Sequence, residues 1–142
     1  MMISTKGRYA LRVMIDLAQN QGDGYLPLRD IAKRQEISEK YLEAILPTLI
    51  KNRYLEGVRG KGGGYRLSRS PEDYTIGSIL KLLESSLAPV ACLEENAKPC
   101  PRAEQCKTLP MWSRLNRMID EYFEGIRLAD LCKDKDQIDG LI

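Results

Sequence analysis

The sequence predicts a mainly α-helical fold, a winged helix-turn-helix with a two-stranded wing and a long C-terminal helix. Three observations lead there. Two short helical patterns flank a tight turn at Glu36-Ile37. A glycine-rich run then separates two strand-like segments. After Thr108 an apolar stripe repeats every three to four residues.

Taken in order, Ser4 or Thr5 can cap a first helix in which Ala10, Leu11, Met14, Ile15, Leu17 and Ala18 fall at helical spacing. The segment QGDGYLP breaks it, and a short helix follows from about Leu28 to Gln35, burying Leu28, Ile31 and Ala32. Ser38 caps a third helix, SEKYLEAILPTLIKN, whose stripe Leu42, Ile45, Leu46 and Leu49 marks the core side. Pro47 removes one helical N–H opposite the carbonyl of Glu43, which predicts a bend or local irregularity. The helix-turn-helix thus covers about 28–52. YLEGV and YRLSR around RGKGGG form a hairpin, the wing, over about 54–69. Thr75 caps a helix through Ile76, Ile79, Leu80, Leu82 and Leu83, and Pro89 opens a cysteine loop over 87–107. Thr108 is expected to cap the longest helix, about 108–126, with Met111, Trp112, Leu115, Met118, Ile119, Tyr122, Phe123 and Ile126 on its apolar side. LADLCKD closes the pattern as a short helix, on whose stripe Cys132 reads as a small core residue. The division expected is 1–75 for the winged head and 76–142 for the linker helix, cysteine loop, long helix and C-terminal helix.

Composition narrows the class. Hydrophobic residues at 43% and charged residues at 30% over 142 residues suit a globular chain with a real core. Arg12 and Asp16 interrupt the N-terminal apolar run, and no stretch approaches the ~20 apolar residues of a membrane span. A cytoplasmic protein without a membrane is expected, in which thiols stay reduced. The net charge of +2 conceals an asymmetry. Residues 1–70 carry 13 Lys and Arg against 7 Asp and Glu, a balance of +6, whereas residues 71–142 carry 9 against 13, a balance of −4. A basic first half suggests a polyanionic partner, with a solvated surface as the plainer explanation.

The run GKGGG at 60–64 fails as a nucleotide loop. A dinucleotide fingerprint on Gly60 and Gly62 would need glycine where Tyr65 stands, and a Walker lysine at Lys61 would need Ser or Thr where Gly62 stands. Both motifs lead from strand to helix, and this run lies between strands. A nucleotide-using enzyme is therefore the weakest of the function classes, and no catalytic residue is assigned. As a wing tip the run makes sense. Gly62 lets backbone N–H groups approach phosphates, Lys61 supplies charge, and Arg59 can enter a narrow minor groove. On the third helix, Glu39, Lys40 and Glu43 lie opposite the core stripe with Tyr41 at the edge. A carboxylate at Glu43 can accept from a cytosine N4 donor in the major groove. The alternative is an ordinary solvated face.

These segments together resemble the IscR/NsrR/CymR-type (Rrf-two) bacterial winged-helix regulators. The likeness runs through STKGRYAL, LRDIAKRQEIS, KYLE, VRGKGGGYRLSR and TIGSIL to the long helix and LADL, about residues 2–132. It implies a homodimer, its long helices crossing, that binds a double-stranded DNA operator with helix-turn-helix and wing and acts, for example, as a repressor. A symmetric dimer also suits the long stripe, because it engages two half-sites at once; packing within one chain is the alternative. By position, Glu43 matches the base-reading residue and Arg59 the minor-groove arginine, and Ser38 and Tyr41 match too. Lys40 and Ala44 depart from the iron–sulfur biogenesis regulator, so its DNA site need not carry over.

Several members of that family hold an iron–sulfur cluster on three cysteines ahead of the long helix, where this chain has Cys92, Cys100 and Cys106. Five residues separate Cys100 from Cys106, as in the family; seven separate Cys92 from Cys100, two more than usual. The histidine ligand of the biogenesis regulator corresponds to Leu109, and the chain has no histidine. The partner aspartate of the nitric-oxide-sensing relatives corresponds to Arg8. Glu104, Glu94, Glu95, a small thiol or solvent could complete the set. A 2Fe–2S cluster is slightly favoured over 4Fe–4S. Thiolates are the usual cluster ligands, and a helix N-terminus with Arg102 and Lys107 would favour anionic sulfur. Zinc lacks its close CxxC pairs here. A thiol–disulfide switch, a plain loop, and a metal-free regulator of cysteine metabolism acting through a partner protein stay open.

Overall fold

The computed structural model describes residues 2–142 and places seven α-helices around one hydrophobic core, with a two-stranded antiparallel hairpin on its flank. Helix α1 (Thr5–Asn20) starts at Ser4, whose Oγ accepts from the Gly7 N–H at 3.0 Å. The cap is doubled from far along the chain, because Glu84 Oε1 accepts from both the N–H (2.9 Å) and the Oγ (2.7 Å) of Ser4. A carboxylate there also complements the positive end of the helix. Ala10, Val13, Met14 and Leu17 of α1 are fully buried.

Helix α2 (Leu28–Gln35) ends where Glu36 adopts the left-handed conformation, with φ at 54°, and the Ile37 N–H returns to the Ala32 carbonyl. Ser38 then caps α3 (Glu39–Lys51) by accepting from the Tyr41 N–H at 3.1 Å, and Leu42, Ile45, Leu46 and Leu49 seal α3 to the core. The irregularity expected at Pro47 does not interrupt this helix. Pro47 lies on the exposed side, while Leu46 and Leu49 beside it are buried and hold both turns against the core. At the end of α3, Arg53 takes a left-handed φ of 61° so that the Tyr54 N–H can reach back to the Leu49 carbonyl at 2.8 Å.

Strands β1 (Leu55–Val58) and β2 (Gly64–Leu67) pair in the register Leu55↔Leu67 to Val58↔Gly64. A further bridge joins Leu26 to Tyr65, so β2 is held on both sides. Gly64 permits this, since a Cβ there would overlap the Leu26 carbonyl and its φ is 144°. At the base of the hairpin, Tyr74 is buried and its hydroxyl forms a hub. It accepts from the Ser68 N–H (3.1 Å) and the Arg69 N–H (3.0 Å) and donates to the Tyr54 carbonyl (2.8 Å).

Thr75 caps α4 (Ile76–Leu83), which contributes Ile76, Ile79 and Leu80 to the same core as α1 and α3. Residues 85–108 form an irregular loop with one 3-10 turn at Ala91–Leu93. Helix α5 (Leu109–Glu124) follows, and the Lys81 ammonium ties it to α4 through Asp120 (2.6 Å) and Glu124 (3.0 Å). The short α6 (Leu128–Leu131) returns Leu128 to the core, and α7 (Lys135–Leu141), which the sequence pattern did not announce, ends the chain. The core therefore includes residues on both sides of position 75. Among the described residues, no helix is long and apolar enough to cross a membrane.

A candidate nucleic-acid interface and the cysteine loop

The exposed side of α3 follows from its buried stripe. With Leu42, Ile45, Leu46 and Leu49 turned inward, Lys40, Glu43, Pro47 and Lys51 must face solvent, and all four are exposed. The wing flanks one edge of this side, with Arg59, Lys61 and Gly62 exposed at its tip. Gly62 has a φ of 77°, so its glycine serves the turn as well as any approach to phosphate. Between α3 and the wing runs a groove with an apolar floor of Leu28, Ile50 and Val58 and a cationic rim of Lys51, Arg59 and Lys61.

The charges on this side are uncommitted. Among the described residues, Lys40, Glu43, Lys51, Arg59 and Lys61 make no ion pair and no side-chain hydrogen bond. Several other cations are paired: Arg34 with the buried Asp16, and, at the surface, Arg66 with Glu56 and Lys81 with Asp120 and Glu124. Free cations beside an apolar groove are what a polyanion needs, because a phosphate displaces only water and counterions from them. Ser38 and Tyr41 take a different part. The Ser38 hydroxyl oxygen is engaged in the cap, and the half-buried Tyr41 ring packs edge-on against Tyr9, with centroids 5.2 Å apart. Sequence reasoning missed Lys51, although its eleven-residue separation from Lys40 is three helical turns and puts the two on one side.

The cysteine loop is arranged otherwise. Cys92 and Cys100 are exposed, Cys106 is half-buried, and all three are free thiols. Among the described residues, no three cysteine or acidic side chains converge on a common point. Glu104 is exposed on the same loop and joins no such group. The donor types suit a thiolate-bound cluster, whereas their positions are apart. Thr108 does not cap α5 with its side chain, as expected from the sequence, because its own backbone is already helical. Its hydroxyl lies 3.3 Å from Cys106 Sγ instead. That contact, with the N–H groups of Thr108 and Leu109 and the nearby Arg102, pulls the Cys106 thiol below its usual pKa. Cys132 goes the other way. It is half-buried, donates to the Leu128 carbonyl at 3.3 Å, and burial pushes its thiol up.

Comparison with known proteins agrees with this geometry. A family model, Rrf2, described as an iron-dependent transcriptional regulator, matches residues 3–134. The HTH-type transcriptional regulator IscR of Sodalis glossinidius is 34% identical over 139 residues, covering 98% of this chain and 83% of the relative. Among solved structures, CymR of B. subtilis, named the global cysteine regulator, superposes with a TM-score of 0.77 at 34% identity, covering 94% of this chain and 99% of CymR. IscR of T. potens gives a TM-score of 0.73 at 34% identity, covering all 100% of this chain and 92% of that one. The basic helix-turn-helix face, the wing beside it and the near-complete overlap with these regulators agree, and the chain belongs to the Rrf2 family of winged-helix transcriptional regulators.

Proposed function

We propose that two copies of this chain, paired through α5, bind a double-stranded DNA operator in the cytoplasm with their α3 faces and wings, without catalysis, and that an iron–sulfur cluster on Cys92, Cys100 and Cys106 tunes that binding. The placement of the cysteine loop carries the proposal. It joins α4, which packs in the core, to α5, which has no buried residue. The hydrogen bonds found within residues 85–107 are short-range turns, such as Ala97 N–H to Glu94 and Ala103 N–H to Cys100. Three thiols can therefore be drawn together by rearranging local turns, without breaking a long-range hydrogen bond. The family's iron-dependent description and the likeness to IscR support iron as the metal.

A cluster held there would supply iron–thiolate bonds open to redox change and to attack by small ligands. Glu104 is the carboxylate we would assign to the open fourth position, and 2Fe–2S is the form favoured. The chain's own residues do the rest. Lys40 and Lys61 neutralise phosphates, Arg59 enters a narrow minor groove, Gly62 allows the backbone close to the phosphates, and Glu43 reads a base edge while Ser38 and Tyr41 fix the helix that carries it. The loop feeds into α5, so a change in its fold shifts how two heads sit relative to each other. Met111, Leu115, Met118 and Tyr122 supply the pairing edge of α5, since all four are exposed and fall at spacings of four, three and four.

A metal-free thiol switch is the second reading, favoured by the raised acidity of Cys106 and the likeness to CymR. Anaerobic purification separates the two. The cluster predicts a brown protein with iron and acid-labile sulfide, and loss of colour when Cys92, Cys100 or Cys106 is changed to Ala. A colourless anaerobic protein without iron, whose DNA affinity nonetheless responds to oxidants, would leave the thiol switch standing alone.

A further inference from the structure

The first helix carries a side-chain relay that no assigned DNA contact explains. Asp16 is 1% exposed, and its carboxylate accepts from Arg34 Nη2 (2.8 Å), Arg34 Nε (3.0 Å) and Gln35 Nε2 (2.9 Å) at the end of α2. One turn back on α1, Arg12 Nε donates to Gln35 Oε1 at 3.3 Å, and Arg12 Nη2 donates to the Gln35 backbone carbonyl. That carbonyl is one of those a helix leaves open at its C-terminal end. The Arg12 guanidinium also lies 5.0 Å from the Tyr9 ring centroid, and Tyr9 meets Tyr41 edge-on at an interplanar angle of 66°. Tyr41 is thus pinned twice, by Tyr9 at its ring and by Ser38 at its N–H. It stands in the first turns of α3, between Lys40 and Glu43.

We propose that Tyr9 and Arg12 are positioning residues for the reading helix, setting base discrimination without touching DNA. This rests on α3 being the DNA-reading element. Arg12 belongs to the basic half of the chain, yet it is half-buried, two of its donors are directed to Gln35 and its plane is engaged by Tyr9. Lys40, Arg59 and Lys61 have no such commitments. Arg12 therefore differs from its cationic neighbours in kind. Its removal should tilt α3 rather than subtract a phosphate contact.

The test starts from a duplex site selected by the wild-type protein from a randomised pool. Dissociation constants for that site and for the unselected pool are then measured across a salt series. Tyr9→Leu and Arg12→Met should each reduce the ratio of selected to pool affinity roughly three- to tenfold, the worth of one aromatic or stacked contact. Pool affinity and salt slope should stay at wild-type values. Tyr9→Phe should behave as wild type, because the contact is made by the ring. Arg12→Lys keeps the charge but not the plane, and should lose as much discrimination as Arg12→Met; this milder variant serves if Arg12→Met does not fold. Lys61→Ala is the reference for a phosphate contact, lowering affinity for both duplexes and reducing the slope by about one. A reduced salt slope in Arg12→Met, full discrimination in Arg12→Lys, or an unchanged ratio in Tyr9→Leu would each overturn the proposal. If Glu43→Ala and Arg59→Ala also leave selected-site affinity untouched, the reading surface itself is wrong, which is a separate failure.

Discussion

At the scale of single residues, the buried Tyr74 hydroxyl ties the base of the wing together. One hydroxyl serves the Ser68 and Arg69 N–H groups and the Tyr54 carbonyl, and Arg69 lies over both the Tyr54 and Tyr74 rings. Its phenol is held above its usual pKa chiefly by burial. Tyr74→Phe keeps the ring but leaves these backbone groups without their partner, at a cost of about 2 kcal/mol. Urea unfolding should show a lower midpoint at unchanged slope, with the wing's amides exchanging faster. None of this was legible in the sequence, where Tyr74 is one tyrosine between Asp73 and Thr75. The positions of Glu43, Arg59 and Lys61 were legible, because a solvent side can be read from the buried stripe and a hairpin tip from its glycines. The arrangement of the three thiols was not, since spacing along an irregular loop does not fix where side chains point.

At the scale of elements, local chemistry fixed most boundaries. Ser4, Ser38 and Thr75 each cap the helix expected of them, and α2 and α3 begin and end close to where their stripes and turns predict. Thr108 failed as a side-chain cap because its backbone is already helical, so sequence alone could not separate a cap from a first helical residue. Pro47, where the sequence predicts a bend or local irregularity, does not interrupt α3, because packing on either side outweighs one missing hydrogen bond. The left-handed Arg53 at the end of α3 is a strained choice where glycine is the usual residue. Arg53→Gly should raise stability by about 1 kcal/mol, read as an increase in Tm of roughly 3 °C. A fall in Tm would show that the arginine side chain, not the turn, is what that position needs.

At the scale of the molecule, α5 stands apart. It is as long as α1 but buries no residue, and Met118 and Tyr122 on its outer edge are 54% and 51% exposed. A second copy of the chain is the partner we assign to that edge. Met118→Glu would place a charge in the paired seam, and sedimentation should then report a monomer with weakened operator binding. A dimer surviving that change would move the interface elsewhere. The stripe was visible in the sequence, but whether it packs within one chain or between two depends on where α4 directs it.

The carboxylate of Glu84 at the start of α1 has a consequence for how the protein is made. It joins residues 80 positions apart, and the core that α1 helps to fill is closed only by Ile126 and Leu128. A nascent chain therefore leaves the ribosome with its first helix capped by Ser4 alone and its core open where Ile126 and Leu128 will pack. Non-local closure of this kind is slow relative to helix formation, because the loop entropy is lost before the contacts are gained. The last buried contacts of the core are thus the last to be synthesised, and a product truncated before Ile126 would present the helix-turn-helix on an incompletely closed core.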